Sequence, residues 1–402
     1  MELEQRTGSF SDSLLGCLWS LPRRKTSLFP CIAVVAAVTV WIASTPVASA
    51  ETIRVALQQQ AESITLTSLH GLLIRSNGDE KLSAGRSVRI SVGSNGSGLM
   101  VDGRQVRSDR AELRGRHGDL VLNGVTLPGR VIVKRQNNGM LVVNELDLEE
   151  YIKGVVPAEM NPAWHPEALK VQAIAARTYA LYQMRQVGKK DFDILSSTKD
   201  QVYLGRNGSN AAVLRAVEQT RNLILTYGEL PIFAAYHSTA AGPTEDAMYV
   251  WSMDVPYLKG VECPFDMDSP HYQWRTDVSI PLLERRLREE GFSVGVIASL
   301  DPMSYTRSGR VAQIRILHSD GELLLRGEDL RRIVGYVTLA STMFDFELTG
   351  LRIEFTGRGA GHGVGLCQWG AKALAERGYS AETILHYYYP GTEIRTLTSL
   401  PR

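Results

Sequence analysis

Short runs in which apolar and polar residues alternate dominate the chain from Glu51 to about Lys134. Clear examples are residues 72–76, 88–92 and 120–122. The turn dipeptides between such runs are Asn77-Gly78, Asp102-Gly103 and Asn123-Gly124. Short strands at even spacing with glycine-containing turns are typical of a small sheet or sandwich. The pattern therefore predicts a small β-rich domain over residues 51–130.

A mixed pattern follows from residue 131. A strand is predicted over 141–146 and one helical turn over 148–153. An extended loop is predicted over 155–162, because Pro157 and Pro162 disfavour helical geometry in the residues before them. Pro166 suits the first turn of a helix that extends to about Met184, where apolar residues recur at i, i+3, i+4 and i+7.

The rest of the chain continues this mixture. The pattern predicts a helix over 211–220, a hairpin from 223–227 and 232–236, a helix over 282–290, and strands over 311–317 and 322–326. Helices and antiparallel strands in this order predict an α+β fold for the larger, C-terminal part of the chain.

The first 50 residues have the composition of a targeting segment. Positive charges at residues 23–25 precede an apolar run, and small residues at 47–50 precede Glu51. This arrangement is typical of a secretory signal peptide. The alternative is an uncleaved N-terminal membrane anchor, for which the apolar run reaches only the lower length limit. Either alternative predicts an extracytoplasmic protein, in the periplasm or cell wall or anchored to the membrane.

Charge and cysteine content narrow the functional classes. The formal net charge is +1, which gives no indication of a nucleic-acid surface. Cys17 and Cys31 lie in the targeting segment, so Cys263 and Cys367 remain in an oxidising compartment, where a pair usually bonds. A disulfide is the first prediction. A zinc site shared with His237 is the alternative by ligand type, and no other cofactor is expected.

The glycine-rich segment 355–371 holds six glycines in 17 residues, with His362 and Gln368 among them. It lacks the Lys-Ser/Thr pair of a phosphate loop and the spacing of a dinucleotide-binding turn. Glycine lets a second backbone or a ligand approach closely. The segment therefore predicts one wall of a binding site without nucleotide chemistry.

Two further segments carry candidate chemistry. Glu159 has apolar and aromatic neighbours in sequence, which would raise its pKa toward the range of a general acid. The alternative is a solvent-facing glutamate or a helix cap. In residues 236–245, His237 and Ser238 are adjacent in a strand and point to opposite faces, and no nucleophile elbow is present. This segment predicts a hydrogen-bonding wall or a polar strand end.

Three ordered blocks then coincide: residues 143–160 with 172–180, residues 236–245, and residues 357–371. Together they resemble the SpoIID family, also called the stage II sporulation protein D or amidase-enhancer family, over about residues 131–395. The resemblance implies a SpoIID-like α+β core. It also implies a peptidoglycan lytic transglycosylase that cleaves glycan strands, in sporulation members strands stripped of stem peptides.

The resemblance assigns the catalytic role to Glu159. It implies a substrate cleft formed by Gln172, Arg177, His237, Ser238, Thr239, Thr244, Glu245, Gly361, His362, Gly363 and Gln368. Cys367 departs from the family, where serine is frequent at this position. A single carboxyl suffices for a reaction that closes a 1,6-anhydro ring without external water.

Two alternatives stay open at this stage. Some family members are described as enhancers of a cell-wall amidase. The first alternative is therefore a non-catalytic module that binds glycan and has an amidase as its partner. The other is an inverting hydrolase, which requires a second carboxylate several Å away. Glu150, Glu245 or Asp254 would supply that carboxylate.

Overall fold

The computed structural model describes residues 51–76, 80–93, 98–106, 108–186, 188 and 190–399. The predicted targeting segment and the predicted Asn77-Gly78 turn lie outside these residues. Helices and several sheets are both present, which confirms the α+β class. In the described part of the chain, no helix combines the length and the apolar character needed to cross a membrane.

Among the described residues, thirteen strands form two sheets, and all of them except the last precede the first helix. They are β1 Thr52–Ala61, β2 Ser63–Thr67, β3 Leu72–Ser76, β4 Glu80–Ala84, β5 Ser87–Val92, β6 Leu99–Val101, β7 Arg104–Val106, β8 Arg110–Gly115, β9 Leu120–Leu122, β10 Val125–Leu127, β11 Arg130–Gln136, β12 Gly139–Asp147 and β13 Ile194–Leu195. The strand orders are β13-β1-β12-β11-β8-β3-β4 and β10-β9-β2-β5-β6-β7.

The alternating pattern places one apolar face of each sheet in a shared core. Every second residue is buried along β2 of one sheet and β3 of the other. Leu66 of β2 and Leu72 of β3 belong to the same hydrophobic cluster. Asp102-Gly103 and Asn123-Gly124 join their strands with positive φ at both residues, as tight hairpin turns require. β1 pairs along β12, so the sheet continues past residue 130; the domain boundary there stays a prediction.

After β12 the described residues form the helices α1 Leu148–Glu159, α2 Pro166–Gln186 and α3 Ala211–Gln219. The prediction for α2 and α3 was close. The extended loop predicted from residue 155 was wrong as far as Glu159, because α1 continues through Pro157. Val155 and Val156 are fully buried in the core, and this packing outweighs the hydrogen bond that Pro157 cannot donate.

The hairpin predicted after α3 is shorter than expected. β14 Leu223–Tyr227 pairs with β15 Leu230–Pro231, and one further bond, from the Ile232 N–H to the Leu225 carbonyl at 3.2 Å, follows Pro231. The residues beyond it form β16 Tyr236–His237, which pairs in parallel with β23 Leu366–Cys367. The chain therefore brings the segment after residue 235 beside the glycine-rich segment.

Much of the chain between β16 and β23 forms a second hydrophobic core. Its elements are β17 Gln273–Ser279, α5 Ile280–Glu289, β18 Ile297–Tyr305, β19 Val311–His318, β20 Gly321–Arg326, α6 Gly327–Val334, β21 Phe344–Thr349 and β22 Arg352–Arg358. The helix predicted over 282–290 and both predicted strands are confirmed within two residues. The remaining elements are α4 Ala247–Trp251, α7 Gln368–Glu376, α8 Ala381–Tyr388, β24 Glu393–Thr396 and short 3-10 turns at Pro256–Leu258 and Leu397–Ser399.

Candidate functional site

Glu159 is the last residue of α1, and its side chain is half-buried. The backbone N–H of Val202 donates to Oε1 at 3.2 Å. The side chain of Gln368 and the hydroxyl of Tyr236 donate further hydrogen bonds to the carboxylate. Burial nevertheless raises the pKa of Glu159, and the three hydrogen bonds only partly oppose this shift. The carboxyl is thus held by donors, and its pKa is higher than that of a free glutamate.

The parallel pair β16/β23 explains why these donors converge. Tyr236 lies opposite Leu366, and His237 lies opposite Cys367. Gln368 begins α7 directly after that pair. Because Tyr236 and Gln368 come from neighbouring strand ends, both reach the end of α1. This pairing joins segments about 130 positions apart, and periodicity along the chain gave no signal for it.

A buried chain of hydrogen bonds fixes the Tyr236 hydroxyl. The Tyr151 hydroxyl donates to Gln201 Oε1 at 3.1 Å, and Gln201 Nε2 donates to the Tyr236 oxygen at 3.0 Å. Tyr236 can then direct its own proton at Glu159. Gln201 was missed in the sequence because it lies in an irregular loop. Tyr236 lay inside a recognised block but was not selected, because a strand tyrosine is usually a packing residue.

Gln172 joins this cluster from α2. Gln368 Nε2 donates to Gln172 Oε1 at 3.3 Å, and both residues are buried. The Gln172 Nε2 atom is buried and has no hydrogen-bond partner in the described structure. An unpaired buried donor in this cluster is suited to donate a hydrogen bond to an incoming polar group.

His237 and His362 lie side by side on the same wall. Their ring centroids are 5.6 Å apart, and the His362 ring packs 4.7 Å from that of Trp251. Burial lowers the pKa of His362 to about 3, and burial also lowers the pKa of His237 well below its usual range. Both rings are therefore neutral near pH 7 and serve as hydrogen-bonding and stacking groups.

Ser238 and Thr239 continue the wall as hydroxyl groups. Ser238 Oγ lies 3.2 Å from Thr239 Oγ1, which lies 2.6 Å from Ser269 Oγ. The backbone N–H of Trp369 donates to the Ser238 carbonyl at 3.1 Å. This arrangement is a hydrogen-bonding wall, and the sequence favoured it over a serine nucleophile.

Three predicted cleft residues are engaged elsewhere. Arg177 is fully buried in a paired ion bridge to Glu149, at 2.8 and 2.7 Å. Glu245 Oε2 accepts hydrogen bonds from Thr306 and Ser308 at 2.6 Å each. The side chains of Arg177 and Glu245 are therefore bonded to other residues of the protein.

Thr244 is likewise bonded within the fold, because its hydroxyl accepts from the backbone N–H of Val261 at 2.8 Å.

The other two carboxylates considered for a hydrolase are also paired. Glu150 forms ion pairs with Lys153 and Arg206, and Asp254 pairs with Lys259. Glu159, in the first block, instead accepts hydrogen bonds from the other two blocks, through Tyr236 and Gln368, and from Val202.

The glycines at 361 and 363 are required by close packing. Both adopt positive φ. A Cβ at Gly361 would lie 2.6 Å from the Cβ of His237, and one at Gly363 would lie 2.6 Å from the guanidinium carbon of Arg310. The glycine-rich segment therefore packs against the protein's own chain, which accounts for its composition without a bound phosphate.

Cys263 and Cys367 are buried free thiols, so the disulfide predicted first is not formed. Their expected proximity is confirmed. The third group beside them is Asp266 and not His237: both sulfurs and a carboxylate oxygen of Asp266 lie within 4.8 Å of one another. His237 Nδ1 instead lies 3.1 Å from the carbonyl oxygen of Val364.

Two half-buried tryptophans pack together, and one of them, Trp369, directly follows Gln368 in the chain. Trp164 and Trp369 pack edge to face with ring centroids 5.0 Å apart. The Lys372 ammonium lies 5.3 Å from the Trp369 ring. Partly exposed aromatic faces beside Gln368, a donor to Glu159, provide an amphipathic surface of the kind that binding sites use.

Comparison with known proteins agrees with this combination of fold and site. A family model described as Stage II sporulation protein matches residues 136–227, and the model of a domain of unknown function matches residues 257–365. The second match largely covers the second hydrophobic core.

The relatives include a Stage II sporulation protein D from Bacillus amyloliquefaciens, 34% identical over 282 residues, which are 66% of this chain and 79% of that protein. An uncharacterized protein from Brachyspira hyodysenteriae is 35% identical over 322 residues, covering 78% and 84%. An amidase enhancer from Bacillus subtilis is 32% identical, covering 62% of this chain and 40% of that protein. The chain belongs to the SpoIID family of Stage II sporulation proteins.

Proposed function

We propose that this protein acts on the bacterial cell wall as a peptidoglycan lytic transglycosylase, outside the cytoplasmic membrane. The observation that carries the proposal is the environment of Glu159. It is a single carboxyl with a raised pKa, held by donors from three separate segments. A general acid at neutral pH needs this combination of partial burial and fixed orientation.

In the proposed reaction, Glu159 first donates its proton to the oxygen of the glycosidic bond, and that bond breaks. The carboxylate then accepts the proton of the C6 hydroxyl of the same muramic acid. The C6 oxygen bonds to C1 and closes a 1,6-anhydro ring. The proton returns to Glu159, so no water is consumed and the enzyme is regenerated. Tyr236 and Gln368 stabilise the carboxylate between the two steps by their hydrogen bonds.

The substrate is proposed to be a glycan strand, stripped of its stem peptides. Trp164 and Trp369 offer aromatic faces for sugar rings. Ser238 and His362, both partly exposed, offer polar atoms for hydroxyl and acetamido groups. Aromatic faces together with neutral polar groups suit the sugar rings, hydroxyl groups and acetamido groups of a polysaccharide.

The test is the cleavage of purified, peptide-free glycan strands, with products identified by mass spectrometry. We expect 1,6-anhydro ends from the unaltered protein. Glu159→Gln keeps the shape and removes the titratable proton, so we expect a rate loss of about 10²–10⁴-fold with glycan binding retained. Glu150→Gln, on the same helix but paired with Lys153 and Arg206, is the matched control and should cleave normally.

Other products would identify other functions. Reducing ends in place of anhydro ends would indicate a hydrolase with a second carboxylate. The amidase-enhancer relative supports one further candidate, a glycan-binding partner of a cell-wall amidase. Glycan binding without cleavage, together with faster turnover of an added amidase, would establish that function and overturn the transglycosylase.

A further inference from the structure

Three groups with metal-ligand chemistry meet beneath the wall that carries Gln368. Cys263 and Asp266 are each 1% exposed, and Cys367 is fully buried. The two sulfurs and a carboxylate oxygen of Asp266 lie within 4.8 Å of one another. This spacing allows one ion to contact all three atoms, because zinc bonds to sulfur and oxygen at about 2.0–2.3 Å.

Asp266 has one satisfied oxygen and one unsatisfied oxygen. Oδ2 accepts the backbone N–H groups of Ala240 and Ala241 at 2.7 and 2.8 Å, and the Cys367 thiol at 3.2 Å. Oδ1 is buried and has no hydrogen-bond partner in the described structure. A buried acceptor without a partner is unfavourable, so this oxygen indicates a ligand.

Cys367 is oriented by backbone donors. The N–H groups of Gly370 and Ala240 both donate to its sulfur at 3.4 Å. Cys367 also caps the N-terminus of α7. Hydrogen bonds of this kind fix a metal-bound thiolate and stabilise its charge, as outer-shell groups do at metal sites.

We propose that Cys263 Sγ, Cys367 Sγ and a carboxylate oxygen of Asp266 bind one zinc-like divalent cation, with a fourth position left for a water molecule. Two thiolates and a carboxylate suit zinc, whereas magnesium and calcium require oxygen ligands throughout. Binding releases both thiol protons to solvent. The Tyr388 hydroxyl, 3.2 Å from Cys263 Sγ, lies next to the site as a neighbouring polar group.

A buried cation, Arg310, lies beside the site and also interacts with the charge of Glu245. Three anionic ligands and a divalent cation leave a net charge of −1. The buried guanidinium of Arg310 interacts favourably with the charges of Cys367 and Asp266. Arg310 also donates to the carbonyl of Ala240 at 2.8 Å, so it is fixed beside the site.

The ion would connect both walls of the cleft. Cys367 precedes Gln368, which bonds to Glu159, and Asp266 holds the backbone that follows Thr239. The site is therefore structural, and its metal content is independent of whether glycan is cleaved.

The test uses the full chain with Cys17→Ser and Cys31→Ser, so that only the clustered thiols remain. Elemental analysis of protein purified without chelator should find about one zinc per chain, as a single structural site requires. Replacement by Co²⁺ should give thiolate-to-metal charge-transfer absorption. Adding Zn²⁺ to chelator-treated protein should raise its Tm, because a ligand of the folded state stabilises it.

Cys263→Ser with Cys367→Ser should lose the metal and the charge-transfer band. Asp266→Asn keeps an oxygen for the Ala240 and Ala241 N–H groups, so this variant should fold. Its zinc affinity should fall at least about tenfold, the smallest loss usually seen when a group around a metal is altered. A disulfide between Cys263 and Cys367 in protein denatured without reductant would overturn the proposal. Two titratable thiols with no affinity for Zn²⁺ or Co²⁺ would overturn it equally.

Discussion

The proton on Glu159 determines the pH range of the proposed reaction. Burial raises its pKa, and hydrogen bonds from Val202, Gln368 and Tyr236 lower it again in part. A general acid must be protonated when substrate binds. kcat/KM should therefore be highest below the raised pKa and should fall as pH increases through it.

Tyr236→Phe tests this balance. The variant removes one donor that favours the ionised carboxylate, so the pKa of Glu159 should rise further. The alkaline fall in kcat/KM on stripped glycan should then move to higher pH, while the maximum rate decreases because the carboxylate between the two steps is less stabilised. Tyr249→Phe, at an exposed tyrosine, is the control. An unchanged pH profile in Tyr236→Phe would show that its hydroxyl does not act on Glu159.

A substitution of Arg177 tests whether this residue stabilises the core or binds substrate in the cleft. Its ion pair with Glu149 is buried, and Arg177→Ala would leave that carboxylate without its partner. We expect a loss of about 3–5 kcal/mol in the free energy of unfolding. Arg185→Ala, at the exposed end of the same helix, should change it by less than about 0.5 kcal/mol. Normal stability with weakened glycan binding would instead make Arg177 a substrate-binding residue.

At the scale of elements, the glycine-rich segment is held in place by its packing. Gly363 has φ +82°, and a Cβ there would approach three atoms of the Arg310 guanidinium within 2.8 Å. That guanidinium is fixed by bonds to the carbonyls of Pro243 and Ala240. An added methyl group at Gly363 would therefore strain the backbone and would also clash with the Arg310 side chain, which its hydrogen bonds hold in place.

Gly363→Ala should cost about 2–4 kcal/mol of unfolding free energy, from left-handed strain and overpacking together. Gly309→Ala is the matched control. Its φ is +81° and no atom lies within 4 Å of the added Cβ, so it should cost only about 1–2 kcal/mol. Urea unfolding of both variants measures the difference. Equal losses would mean that Arg310 moves aside without cost.

Helix predictions succeeded where packing and local preference agree. The apolar repeat of α2 and the proline at its first position both favour the observed helix. α1 extended further than predicted, because the burial of Val155 and Val156 outweighs the local effect of Pro157. Contacts made by residues distant in sequence decided the outcome there, and these contacts place Glu159 on the last helical turn.

At the scale of the whole molecule, the proposed function requires export. We predict that exported protein starts near Glu51, which N-terminal sequencing of the extracytoplasmic fraction would show. Replacing the charges at residues 23–25 by glutamate should reduce export, because the positive flank orients such segments. Full-length protein in the membrane fraction would indicate the uncleaved anchor. Full-length protein free in the cytoplasm would contradict both.

The second hydrophobic core supports the site from outside the SpoIID blocks. Thr306 and Ser308 hold Glu245, and Arg310 holds the backbone at Ala240 and Pro243. None of these three residues was selected from the sequence, because each lies in a loop without periodic pattern. Their role is visible only when that loop is placed against residues 240–245.

The sequence by itself determined the α+β class, most individual strands and helices, the family, and Glu159 as the candidate acid. Each of these depends on local periodicity, turn residues or the order of blocks. Only the tertiary structure decided which side chains meet Glu159, that Arg177 is a core residue, and that Asp266 joins the two cysteines in place of His237. These outcomes depend on pairing between distant strands and on burial. A one-dimensional pattern does not specify either of them, because each follows from the free energy of the whole packed chain.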